Sequence, residues 1–258
     1  MRGFLLFVLL CISQGLMWSE IKECCTLLEI EQYIDEKTLV VFDLDNTLIR
    51  PKQMLGSDEW FCFYFNKKID EYGDRDRAEK AALSLWLAIH TVSSMQCIEP
   101  CTQSVIKKLQ QKGIPLMVLT VRNSNAVNVS IRQLHSVHLD FSKTAPVEHP
   151  VNLHGIDCVR YEKGVLFVAD HNKGEALLQF LQQHSLQPEK IVFIDDKWSL
   201  VEQVKVVESA GIEYVGLRYG GADRHRQNFD PEVAEEQLRF LMNILSDEEA
   251  RKKASLAA

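Results

Sequence analysis

Several features are scarce or missing in this chain, and each absence narrows what it can be. No internal repeat and no low-complexity linker interrupts the 258 residues. Basic residues are outnumbered, 29 Lys and Arg against 36 Asp and Glu, and the net charge of -7 argues against general binding to nucleic acid or anionic membrane. Cysteine pairs at two-residue spacing with a matching Cys or His set do not occur, which speaks against a structural zinc site. A disordered chain is excluded by 46% hydrophobic residues with interspersed charge.

Long apolar runs are missing as well. The stretch Phe4 to Leu10, continuing with interruptions to Trp18, is too short to span a bilayer. Arg2 before it and Ser13, Gln14 and Gly15 near its end give residues 1–19 the pattern of a secretory signal peptide, cleaved after Gly15 or Ser19. Neither site is a good Ala-x-Ala match, which leaves an uncleaved anchor as the alternative. The expectation is a periplasmic or secreted protein with no stable membrane insertion after cleavage. Residues 20–258 are then enough for one α/β domain with an insertion. Without Cys11, six cysteines remain; six allow about fifteen connectivities, and Cys97 with Cys101 is the favoured bridge.

What is present is organised around Thr38 to Ile49, Thr-Leu-Val-Val-Phe-Asp-Leu-Asp-Asn-Thr-Leu-Ile. Thr38 to Phe42 carries no charge and reads as a strand covered on both faces, hence central in a parallel sheet. It ends in Asp43 and Asp45, two apart and so on one side of an extended backbone, with Asn46 and Thr47 suited to a tight turn. Open α/β sheets bind ligands at this carboxyl edge. A second such run, Ile114 to Leu119, ends in Thr120, and a third, Ile191 to Ile194, ends in Asp195 and Asp196. Lys173 opens a helical stretch 22 residues before Asp195. Taken singly, each of these has a plainer reading: a turn for Asp43 and Asp45, a helix cap for Thr120, a solvated side chain for Lys173.

Together, in this order, the motifs resemble the haloacid dehalogenase superfamily: Asp-x-Asp-x-Thr, a strand-ending Thr, a Lys, then an acidic pair. Within it, Asn46 to Ser57 and Asn172 to Lys197 resemble a branch of secreted bacterial proteins of unassigned function. The resemblance implies a doubly wound parallel-sheet core and a helical cap inserted after the first motif, here about residues 52–98. It also implies a magnesium-dependent phosphatase acting on a phosphomonoester, small molecule or phosphoprotein. In that scheme Asp43 is the nucleophile that becomes an aspartyl phosphate, and Asp45 is the general acid and base. Thr120 and Lys173 bind phosphoryl oxygens, and magnesium is held by Asp43, the Asp45 backbone carbonyl, Asp195 and Asp196. Electrostatics agrees: carboxylates at about 5 Å repel by about 3 kcal/mol per pair at an effective dielectric near 20, and a divalent cation removes that penalty. Asp45 points to a phosphatase, with a phosphotransferase as the near alternative. A reading of another class is an inactive scaffold serving as an exported binding or interaction protein.

Elsewhere, Glu20 to Glu36 has the spacing of an amphipathic helix. Helices are expected from Asp58 and from Asp74 or Asp76, with Trp60, Phe61, Phe63, Tyr64 and Phe65 either lining a pocket or packing internally. Arg122 reaches the phosphate or stays on the surface. Residues Leu139 to Arg160 show no clear period.

Overall fold

The computed structural model describes residues 20–242. The signal-peptide reading of residues 1–19 and the tail from Asp247 lie outside them. In chain order the strands are β1 (Glu20–Cys24), β2 (Thr38–Phe42), β3 (Ile49–Pro51), β4 (Met95–Cys97), β5 (Leu116–Thr120), β6 (Val151–Asn152), β7 (Arg160–Glu162), β8 (Val165–Phe167), β9 (Lys190–Asp195) and β10 (Glu213–Tyr219). The α-helices are α1 (Asp58–Tyr72), α2 (Arg75–Val92), α3 (Thr102–Gln111), α4 (Val127–Ser136), α5 (Lys173–Gln183), α6 (Trp198–Val204), α7 (Asp223–Gln227) and α8 (Pro231–Met242).

Eight strands form one sheet in the order β1-β10-β9-β2-β5-β8-β7-β6. From β1 to β8 every pairing is parallel; the β7 and β6 additions are antiparallel. Residues of the central strands alternate between two cores, as a period of two requires. Val40, Phe42, Leu116, Val118, Val192 and Ile194 face α3 and α4, through Val105, Ile106, Leu109, Ile131 and Leu134. Leu39, Val41, Met117, Leu119, Ile191 and Phe193 face α5 and α6, through Ala176, Leu177, Phe180, Val201 and Val204. With helices on both faces, β2 is covered throughout, which is why its sequence shows no alternation. This is the doubly wound α/β architecture expected from the motif order.

The chain leaves this core through β3 and returns through β4, which pair antiparallel as a short ribbon, Ile49 opposite Cys97 and Pro51 opposite Met95. Between them α1 and α2 form a hairpin. Ser57 caps α1 and Asp74 caps α2, each accepting from a backbone N–H in the first turn, while Gly73 ends α1 in the left-handed region at φ 62°. Trp60, Leu55 and Ile89 bury the inner face of the hairpin together with Ala234 of α8, so the C-terminal helix packs on the hairpin.

Two expectations are corrected. Glu20 to Glu36 is not a helix: β1 extends the sheet edge by parallel pairing with β10, and a capping box of Thr26 and Glu29 then starts a 3-10 turn over Leu27–Gln32. The apolar residues suit both periods over so short a span, and the unpaired edge of β10 supplies backbone partners that favour the strand. Cys97 and Cys101 are free thiols, and Cys101 donates to Glu99 at 3.3 Å. In the stretch without a period, Phe141 is buried and meets Phe42 edge-on at 6.0 Å, so one aromatic anchors an otherwise irregular segment.

Candidate active site

Strand register brings the motif residues to one edge. Phe42 is level with Ile194 on one side and Val118 on the other, so β2, β9 and β5 end together. The Asp43 N–H donates to the Ile194 carbonyl at 2.8 Å, which sets Asp43 beside Asp195. Beyond it the chain turns at once: Asn46 adopts φ 61°, and Leu48 and Ile49 N–H groups return to the Leu44 carbonyl. Asparagine tolerates that left-handed backbone better than most residues, a reason for its place after the second aspartate.

Asp43, Asp195 and Asp196 are buried, and each offers a carboxylate oxygen such that the three lie within 4.8 Å of one another. Lys173 is fully buried between Asp43 and Asp195, its Nζ 2.5 Å from Asp43 Oδ1 and 2.7 Å from Asp195 Oδ2. Its position depends on close packing at the start of α5: a Cβ on Gly174 would come 2.0 Å from the Gln203 carbonyl oxygen. Burial raises the Asp43 carboxyl above its ordinary range, the Asp195 and Asp45 charges add to this, and Lys173 opposes it. Burial by itself would lower Lys173, but Asp195 and Asp43 hold it above the usual lysine value. Asp196 pairs with the Arg226 guanidinium from α7.

Asp45 faces elsewhere. Arg122 Nε and Nη2 each lie 2.7 Å from one of its oxygens, and Nη1 donates to Ser130 and Gln133 at 2.8 Å. Burial pushes Asp45 up, and Arg122 more than offsets it, leaving the carboxyl below the usual range. With Gln133 Oε1 taken by Arg122, its Nε2 donates to His90 Nδ1 at 3.0 Å, so His90 carries its proton on Nε2 and donates to the Gly56 carbonyl at 2.8 Å. A polar chain thus runs from Asp45 to the base of the helical hairpin. The start of α1 at this base is pinned to the core as well, by Lys197 to Asp58 at 2.5 Å and Asn46 to Glu59 at 3.0 Å.

Thr120 is buried at the end of β5, and its Oγ1 accepts from the Arg122 N–H at 3.2 Å. It does not cap the following helical turn; Asn123 does, accepting from the Asn125 N–H at 3.0 Å. Each predicted residue is therefore at the sheet's carboxyl edge or at the start of α5. Sequence reasoning left Arg122 open and missed Arg226, His90 and Gln133. Arg122 had a signal, standing two residues past the strand-ending Thr. Arg226 had none, being one of two arginines in Arg224-His225-Arg226.

The three carboxylates fit a hard divalent cation, because all donors are oxygens and their convergence is buried. Among the described residues no other group of His, Cys, Asp and Glu converges in this way. Between the hairpin and the core a cleft of about 560 Å³ opens at Asp45, lined by Phe61, Trp86, Arg122 and Asn123 among others.

Residues 23–251 match the family described as "Protein of unknown function (DUF2608)". A Chlamydia pneumoniae protein named "Putative outer membrane protein" is 28% identical over 222 residues, covering 84% of this chain and 82% of the relative. A protein of the same name from Chlamydia trachomatis serovar D is 27% identical over 225 residues, with coverage of 84% and 82%. Among solved structures, the haloacid dehalogenase-like hydrolase SP0104 from Streptococcus pneumoniae is similar with a TM-score of 0.43 and 15% identity, covering 80% of this chain and 98% of that one. Among the described residues no helix is long and apolar enough to cross a membrane.

Proposed function

We propose that this chain, which belongs to the family described as "Protein of unknown function (DUF2608)", is a magnesium-dependent phosphomonoester hydrolase working through an aspartyl phosphate on Asp43. One observation carries the reading: Asp43, Asp195 and Asp196 converge, buried, with Lys173 bridging Asp43 and Asp195. Lys173 and Arg226 offset part of the repulsion among the three carboxylates, and their convergence suits a site that takes a cation together with a phosphoryl group.

In this reading Asp43 attacks phosphorus, the bond to the leaving oxygen breaks, and Asp45 delivers a proton to that oxygen. Asp45 then takes a proton from water as the water attacks the phosphoryl group, releasing phosphate and restoring Asp43. Lys173 and the Thr120 hydroxyl hold the phosphoryl oxygens, where charge accumulates during transfer. Asp43, Asp195, Asp196 and the Asp45 carbonyl would hold magnesium, which supplies charge neutralisation between the nucleophile and the phosphate dianion. The hairpin of α1 and α2 serves as the cap. We place the activity outside the cytoplasm, on the leader-like residues 1–19 and the outer-membrane names of the chlamydial relatives.

A phosphate-binding protein without turnover is the second reading, and it draws on Arg122, which occupies both oxygens of Asp45. Phosphate release from an aryl phosphate, with and without magnesium, separates the two. Magnesium-dependent release that is lost in Asp43→Asn is the expected result; binding of phosphate by a folded protein with no release supports the second reading.

A further inference from the structure

Arg226 reaches the carboxylate cluster from outside the motifs. From α7 its guanidinium forms an ion pair with the Asp196 carboxylate, and Nη1 donates to the Asp196 backbone carbonyl at 3.4 Å. Its Nε faces the other way, 3.6 Å from Oε1 of Glu59 in the first turn of α1. Glu59 also accepts at 3.0 Å from Asn46, in the turn that follows Asp45. One side chain therefore touches the candidate cation site and the helical hairpin at once. The segment that carries it does the same over a longer span. Phe229 meets Phe63 of α1 at 6.3 Å, the Gln237 side-chain oxygen accepts from the Leu55 N–H at 2.9 Å, and Ala234 is buried against Leu55, Trp60 and Ile89.

The guanidinium and a divalent cation make opposing claims on Asp196. Their mutual repulsion scales with the product of the charges, and at a buried carboxylate solvent screens it little. Where the guanidinium turns is set by the acids around it. Asp223 lies 3.7 Å from Nη1 but is already gripped by Arg218, at 2.6 Å to each oxygen. Asp58 is taken by Lys197. Glu59 is the acid with capacity left, because Arg50 and the His225 ring act on it only from farther off.

We infer that Arg226 couples the cation site to the cap: it yields Asp196 to the cation and completes its pairing with Glu59, which draws the start of α1 onto the core. The inference rests on the cation site of the reading above. Arg226 is a positioning residue, acting only through Asp196 and Glu59.

Magnesium affinity tests it, read by titration calorimetry on the full chain and its variants without substrate. Arg226→Gln removes the competing charge, and its dissociation constant for magnesium is expected to fall about tenfold or more. Glu59→Gln takes away the partner of the displaced guanidinium, so binding is expected to weaken by about three- to tenfold, and this loss shrinks in the Arg226→Gln background. Hydrogen exchange gives a second readout: magnesium should slow exchange at the start of α1 in the wild type and leave it unchanged in Arg226→Gln. Unaltered or weaker binding by folded Arg226→Gln, an equal loss from Glu59→Gln with and without Arg226, or wild-type exchange that ignores bound magnesium overturns the inference and leaves the phosphatase reading intact. No magnesium binding by the folded wild type overturns the cation site as well.

Discussion

Arg122 grips Asp45 with both arms of its guanidinium, each 2.7 Å from a different carboxylate oxygen. Planar two-point pairing fixes the carboxylate's orientation as well as its charge, which a lysine cannot do. The third nitrogen extends the hold through Ser130 and Gln133 to His90 and the base of the hairpin.

Arg122→Lys keeps the charge and loses the fork. We expect kcat/KM on an aryl phosphate to fall about 10- to 100-fold, the scale set by misplacing a reacting group by about 1 Å. Buried hydrogen bonds to Ser130 and Gln133 are also lost, at about 2–4 kcal/mol of stability by urea denaturation. Wild-type turnover in Arg122→Lys would remove Arg122 from the positioning of Asp45.

Asp43→Asn should abolish phosphate release while leaving the far-ultraviolet circular dichroism unchanged. Because burial and neighbouring carboxylates raise the Asp43 carboxyl, its ionised form strains the metal-free fold. The melting temperature without metal is therefore expected to stay level or rise. A collapse of the fold in Asp43→Asn would make Asp43 a structural partner of Lys173 first.

Magnesium should raise the melting temperature, by about 2.7 kcal/mol of stability at about 100 times its dissociation constant. Asp195→Asn should remove most of this shift. Calcium, which accepts a looser oxygen shell, should stabilise the protein without supporting turnover. A melting curve that ignores millimolar magnesium contradicts the cation site.

His90 gives a pH dependence of known sign. Burial lowers it from 6.5 to about 4, the Arg122 charge adds to this, and the Asp45 charge, the Gly56 carbonyl and Gln133 oppose. The folded state thus keeps His90 neutral where the unfolded chain protonates it. Its stability contribution is full above pH 6.5 and is lost progressively as pH falls toward 4, for a total of about 3 kcal/mol. The stability gap between wild type and His90→Gln should narrow over that interval. A gap constant from pH 7 to 4.5 would show that His90 is not held neutral.

The core and the motif residues were legible because their signals are local. Uncharged runs ending in acid marked β2 and β9, and a third uncharged run ending in Thr120 marked β5. The partners that tune the site were not, since Arg122 meets Asp45 across 77 residues and His90 meets Gln133 across 43. Nothing at either end announces such a contact. Edge strand β1 was misread for a related reason: its fate is decided by β10, nearly two hundred residues later. A spacing that tolerates helix and strand alike becomes a strand when a distant strand offers an unpaired edge.

The most direct test of the central claim is acid-quenched mass spectrometry of Asp45→Asn incubated with magnesium and an aryl phosphate. A good leaving group needs little acid assistance, so the first transfer survives, and without Asp45 the water attack is slowed. The account predicts one added phosphoryl group on the peptide containing Asp43, removed by hydroxylamine. Phosphate released at the wild-type rate with no covalent species, or a phosphoryl group mapped to any other residue, would contradict it.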